Sequence, residues 1–142
     1  MHRYPELMIR PMREELVVLG ARELRQPAEV DAFVAASAGR TAMLVVNSVC
    51  GCAAGSLRPG LQLAFQKKRP DLLGTVFAGA DLEATARARE LFAGYAASSP
   101  AVALFRDGRL VYMLERLQIQ GRPPEAVAGA ILVALEQHGA TT

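Results

Sequence analysis

Seven consecutive residues, Thr41–Asn47, constrain the fold of this chain more than any other stretch. Ala42, Met43, Leu44, Val45 and Val46 are all apolar, so the run has no polar face to offer water. A half-exposed strand would alternate, and an amphipathic helix would repeat every three or four residues. A near-continuous apolar run of this length reads as a strand buried on both faces, at the centre of an α/β sheet. The chain passes from it through Ser48 and Val49 directly into Cys50-Gly51-Cys52, and then into a helix-forming segment.

The rest of the pattern is consistent with that centre. Residues 6–20 place Met8, Met12, Leu16 and Leu19 at helical spacing, with Gly20 as a stop. Pro27 suits a first helical turn, and Val30, Phe33, Val34 and Ser37 repeat along one side before Gly39. Residues 53–68 read as a helix in which Pro59 predicts a kink or local break. A second strand over 73–77 is followed by Asp81, a candidate cap for a helix over 82–95 with Ala88, Leu91, Phe92 and Tyr95 inward. Two apolar runs, 101–105 and 110–114, flank Arg106-Asp107-Gly108-Arg109, a strong hairpin signal. Pro123-Pro124-Glu125 opens a last helix carrying Val127, Ala130, Ile131, Ala134 and Leu135. Strand–helix–strand crossovers, a hairpin and a closing helix give an α/β mixed sheet flanked by helices, with additional N-terminal helices. That arrangement suits a thioredoxin-like fold.

The 142 residues fit a single domain, 1–142, able to bury a core without disulfide staples, and no linker or repeat divides them. Hydrophobic residues make up 51% and charged residues 21%. That balance excludes a disordered chain. The net charge is +2, and the densest basic run, Lys67-Lys68-Arg69, reads as a solvated helix end. No basic stripe interleaved with aromatics is present, so nucleic acid is not an expected partner. The first sixteen residues carry charges and two prolines, unlike a signal peptide, and no apolar run is long enough to span a bilayer. No membrane partner and a cytoplasmic location are therefore expected. A reducing cytosol in turn disfavours a static disulfide.

Cys50 and Cys52 are the only cysteines, and both sit where a central strand gives way to a helix. The thiolate is the attacking species, and a helix N-terminus lowers a thiol's pKa. Strand C-termini of open α/β sheets face the crevice where ligands bind, so the sulfurs are presented. Gly51 is expected to relieve crowding between the two side chains and let the backbone bend. One intervening residue closes a tighter ring than two, which favours an easily opened disulfide. The bland alternative is a pair of inert buried thiols. A closed zinc site needs about four ligands. His2 and His138, near the chain ends, read as solvated residues, so no metal or organic cofactor is expected.

The stretch Val45-Val46-Asn47-Ser48-Val49-Cys50-Gly51-Cys52-Ala53-Ala54-Gly55 closely resembles the bacilliredoxins, a thioredoxin-like family with a Cys-Gly-Cys centre. The likeness continues at Pro11-Met12-Arg13, Glu15-Leu16, Arg58-Pro59, Val76-Phe77-Ala78-Gly79, Asp81, Glu83-Ala84-Thr85-Ala86, Arg89, Phe92, Ser98-Ser99-Pro100, Arg116, Ile119 and Gly121. The resemblance implies an oxidoreductase that removes bacillithiol, as co-substrate, from mixed disulfides on S-thiolated client proteins. Cys50 is then the nucleophile that takes up the low-molecular-weight thiol, and Cys52 the resolving thiol. Members of the family often carry a histidine after the arginine matching Arg116; here that position is Leu117, so no proton transfer is expected from it. Some members have a further C-terminal cysteine, which this sequence does not contain.

Five further residues have a functional reading beside a bland one. Ser99-Pro100 precedes a strand, where thioredoxin-like folds place a cis proline facing the cysteines; the alternative is a trans proline opening an edge strand. Asn47 and Ser48 either hydrogen-bond near the thiolate or hold the turn. Arg58 either lowers the thiol pKa or contacts an acidic adduct, or is a solvated helix arginine. At the level of function, two alternatives stand beside thiol removal. One is a general protein disulfide reductase or isomerase. The other is a non-enzymatic redox-sensing or metal-carrying dithiol module.

Overall fold

The computed structural model describes residues 3–139; His2 lies outside the described residues. The elements run α1 (Glu6–Val17), β1 (Arg22–Glu23), α2 (Pro27–Ala35), β2 (Thr41–Asn47), a π turn (Ala53–Leu57), α3 (Arg58–Phe65), β3 (Leu72–Phe77), α4 (Leu82–Glu90), β4 (Ala101–Arg106), β5 (Arg109–Leu114), α5 (Arg116–Ile119) and α6 (Pro124–Gln137). The five strands order as β1-β3-β2-β4-β5. β3 pairs parallel to both β1 and β2, whereas β4 runs antiparallel to β2 and to β5.

Every residue of β2 is buried, as its apolar run requires. Met43 and Val45 point to a core shared with Leu57, Leu61, Val127 and Ile131, under α3 and α6. Ala42, Leu44 and Val46 point the other way, to Val30, Phe33, Ala84 and Ala88 of α2 and α4. A strand between two helical layers has no solvent side, so alternation has nothing to report. Asp107 and Gly108 have positive φ, 53° and 75°. Positive φ at both central residues is the geometry of a two-residue hairpin. Ser37, counted on the apolar face of α2, anchors that hairpin: its Oγ donates to the Val34 carbonyl at 2.6 Å and accepts the Gly108 N–H at 2.7 Å.

The structure corrects several expectations. The buried face of α1 is Ile9, Arg13 and Leu16, with Met8 exposed and Met12 and Leu19 only half-buried. The helix is turned to bring Arg13 inward, where its guanidinium grips both Asp81 carboxylate oxygens at 2.8 and 2.9 Å and lies over the Phe77 ring. Asp81 consequently does not cap α4 with its side chain; it accepts Arg13 and the Phe77 N–H instead. α4 ends at Glu90 rather than near 95, since the chain turns at Gly94 with φ +88°, and Tyr95 is exposed. Two elements were not anticipated, the two-residue β1 and the four-residue α5. The expected break at Pro59 takes the form of the π turn that ends at Leu57, just before α3.

Candidate redox site

Because β2 ends at Asn47, its C-terminal edge delivers Ser48, Val49 and Cys50 to the rim of the sheet. Gly51 and Cys52 already have helical backbone, and the Ala53 and Ala54 N–H groups bond to the Cys50 carbonyl at 3.0 and 3.3 Å. The turn between strand and helix is held by side chains. The Ser48 Oγ accepts the Cys50 N–H at 3.0 Å, and the Asn47 Oδ1 accepts the Ser48 N–H at 2.9 Å. Asn47 is itself fixed at its other end, its Nδ2 donating to the Met12 carbonyl of α1 at 3.1 Å. Such local side-chain-to-backbone bonds are what Asn and Ser offer a turn.

Arg58 is not a solvated helix residue, and its donors go to the turn rather than to the thiol. It is buried, and its Nη1 donates to Asn47 Oδ1 and to the Ser48 carbonyl, both at 3.0 Å. Its Nε lies 3.2 Å from a Glu15 carboxylate oxygen on α1. The guanidinium therefore clamps the turn from beneath. Outside its two chain neighbours, a Cβ built at Gly51 meets nothing within 4 Å, and its φ lies outside the left-handed region.

Both cysteines are free thiols and half-buried, Cys52 resting against the α3/α6 core. The Cys52 N–H donates to Cys50 Sγ at 3.4 Å. The two thiols are driven apart in acidity. The Cys52 thiol as hydrogen-bond donor is the main cause holding the Cys50 pKa below the usual thiol value; the Cys52 N–H, the charge of Arg116 and the Ala53 N–H act in the same direction. Cys52 is pushed up, first by burial and then by its hydrogen bond to Cys50 and the charge there. The pair thus favours the thiolate at Cys50 and the protonated thiol, as its donor, at Cys52.

Two further groups lie at the same end of the sheet. The Ser99–Pro100 bond is cis and opens β4 beside β2. Arg116, at the start of α5, donates from Nη1 to the Ser99 carbonyl at 3.5 Å, and its charge is felt by both cysteines. Arg116 was part of the sequence likeness but had no assigned role. The signal for one lies in sequence order, since Arg116 follows β5, whose partner β4 starts at the cis proline. A cleft of about 670 Å³ opens elsewhere, between Tyr4, Arg25, Asp81 and Glu83, and neither cysteine lines it. The sulfurs lie on an open rim. Among the described residues no three His, Cys, Asp or Glu side chains are grouped to hold a metal, and no helix is long and apolar enough to cross a membrane.

Comparisons with known proteins agree with this geometry. A family described as Disulphide isomerase matches residues 4–139. A protein named bacilliredoxin from Salinibacter ruber is 50% identical over 137 residues, covering 95% of this chain and 81% of that protein. Another of that name from Koribacter versatilis is 48% identical over 97% of this chain and 96% of its own length, and one from Bacillus licheniformis 45% identical over 95% and 94%. Among solved structures, oxidised mitochondrial thioredoxin 3 from Saccharomyces cerevisiae superposes with a TM-score of 0.57 at 15% identity, covering 84% of this chain and 96% of that one. Thioredoxin from Fasciola hepatica gives 0.56 at 15% identity, over 82% and 98%. The fold is thioredoxin-like, with α1 and α2 ahead of the central strand.

Proposed function

The chain belongs to the bacilliredoxin family, and we propose that it removes bacillithiol, or a similar low-molecular-weight thiol, from mixed disulfides on client proteins, Cys50 attacking and Cys52 resolving. Family and fold together support thiol–disulfide oxidoreductase chemistry. The observation that carries the division of labour is the opposed shift of the two thiols, with the Cys52 N–H on Cys50 Sγ.

The reaction balances as two exchanges. The Cys50 thiolate attacks the sulfur of the small thiol in the client's mixed disulfide. That S–S bond breaks, a Cys50–small-thiol disulfide forms, and the client leaves as thiolate, which takes up a proton. Two of the causes that raise Cys52, its hydrogen bond to Cys50 and the charge there, vanish once Cys50 is capped. Cys52 then loses its proton more readily, attacks Cys50 Sγ and expels the small thiol. The resulting Cys50–Cys52 disulfide is returned to the dithiol by an external thiol reductant that supplies two electrons. Alternatively, a second small-thiol molecule attacks the cap directly. The open rim supports a protein-borne substrate, because a disulfide on a folded client reaches a surface sulfur and not one at the bottom of a cavity.

The family's description as Disulphide isomerase favours a second reading, in which ordinary protein disulfides are substrates as well. One experiment addresses both. A client capped separately with bacillithiol and with glutathione, and a disulfide-scrambled protein, are each treated with wild type, Cys50→Ser and Cys52→Ser, and intact masses are followed. The proposal expects wild type to strip bacillithiol fastest, Cys50→Ser to be inactive and Cys52→Ser to retain the adduct on Cys50. Equal action on the scrambled protein would move the second reading ahead. No removal of either cap would end the proposal and leave a sensing or metal-carrying dithiol.

A further inference from the structure

Arg116 is the cation whose charge reaches the cysteines, and its surroundings differ from those of the other arginines at this end of the sheet. Arg13 faces Asp81 and Glu6, and Arg58 faces Glu15, so each is offset by carboxylates. Arg116 is exposed, and no carboxylate among the described residues pairs with it. It is nevertheless held in place. Its backbone N–H donates to Ser98 Oγ at 3.5 Å, its Nη1 to the Ser99 carbonyl at 3.5 Å, and its Nε to Gln120 Oε1 at 3.3 Å. The helix it opens packs against the π turn Ala53–Leu57, which begins directly after Cys52. The guanidinium is thus tied by Nη1 to the cis-proline segment and by Nε to its own helix, and among the described residues its Nη2 has no protein acceptor.

We infer that Arg116 is a specificity-determining residue that receives a carboxylate of the small thiol carried on the mixed disulfide, so that anionic adducts are the preferred substrates. The inference rests on the thiol-removal reading above and names the substrate class that reading left open. A guanidinium whose remaining N–H donors face solvent takes a carboxylate through parallel, charge-assisted hydrogen bonds. When the small thiol is transferred to Cys50, its carbon chain extends from a sulfur already within the field of Arg116. The same placement guides an anionic adduct before attack and retains it afterwards for Cys52.

The test separates local charge from thiol acidity. A client is capped with mercaptosuccinate (two carboxylates), 2-mercaptoethanol (neutral) or cysteamine (cationic). Cap removal is timed for wild type, Arg116→Gln and Arg116→Lys. In parallel, Cys50 is alkylated with iodoacetate and with iodoacetamide, and the ratio of the two rates is taken. That ratio cancels the fraction of thiolate and reads only the charge around the sulfur. Wild type is expected to remove mercaptosuccinate fastest and cysteamine slowest. Arg116→Gln is expected to lose roughly tenfold on mercaptosuccinate, the scale of one charged hydrogen bond, with little change on cysteamine. Its iodoacetate-to-iodoacetamide ratio should fall several-fold, and Arg116→Lys should restore most of both. An unchanged ratio, or equal loss on all three caps, overturns the inference while cap removal by wild type leaves the thiol-removal reading standing. No removal of any cap by wild type overturns both.

Discussion

At the scale of single residues, the site is an arrangement of donors around one sulfur. Cys50 gains more from the Cys52 side chain than from any other group, and the charge of Arg116 is a smaller cause. Cys50 alkylation should therefore rise with pH through a midpoint below that of an ordinary thiol, because the folded site favours the deprotonated form. Replacing Cys52 with alanine removes the leading donor, so the midpoint moves up; Arg116→Gln moves it in the same direction by less. Mass-resolved iodoacetamide labelling across a pH series checks both, and a larger shift in Arg116→Gln would reverse the ranking. Arg58 acts one layer further in, through Asn47 Oδ1 and the Ser48 carbonyl. Arg58→Ala leaves those buried acceptors without a charged donor, at a cost of about 1.5–3 kcal/mol in urea unfolding. The residue names Asn47, Ser48 and Arg58 were legible in the sequence as belonging to the site. Their partners were not, because which acceptor an arginine reaches depends on how helices and strand are stacked.

At the scale of elements, two contacts decide how the helices seat on the sheet. α1 is pinned by the Arg13–Asp81 pair, both partners buried. Arg13→Met strands the Asp81 carboxylate in the interior and should cost about 3–5 kcal/mol, whereas pairing it with Asp81→Leu should recover much of that loss. Thermal and urea unfolding of the two singles and the double make the comparison. α3 meets α6 at Gly60, where a Cβ would lie 2.8 Å from Val127 Cγ1 and 3.1 Å from the Pro124 carbonyl oxygen. Gly60→Ala should destabilise by about 1–3 kcal/mol through overpacking, and Val127→Ala in the same chain should relieve part of it. A strictly additive double variant would show that the two helices do not meet there as described. Hydropathy periodicity located all of the long helices but misjudged the buried face of α1, because an inward arginine counts as polar until its carboxylate partner is known.

For the whole molecule, the central strand is enclosed by two helical layers and the redox pair sits on the rim of what they enclose. The fold accordingly owes little to the cysteines: only Cys52 touches the core, and both side chains are partly exposed. The double variant Cys50→Ser, Cys52→Ser should unfold within about 1 kcal/mol of the reduced wild type. A large loss of thermal stability would mean that the thiols contribute to packing. Neither cysteine lines the cleft between Arg3, Tyr4 and Arg25.

The sequence by itself determined the central strand, the hairpin, the position of the cysteines at a strand-to-helix boundary and the family likeness. Each of these depends on neighbours along the chain: an unbroken apolar run, an Asp-Gly pair between two such runs, a short motif. The tertiary structure decided what depends on distant neighbours. It turned Asp81 from a helix cap into the partner of Arg13, made Arg58 a clamp for the turn, and tied Arg116 to the segment of the cis proline. A charged side chain can reach several partners, and burial selects among them by the cost of leaving a charge unpaired, which is settled only when the layers close.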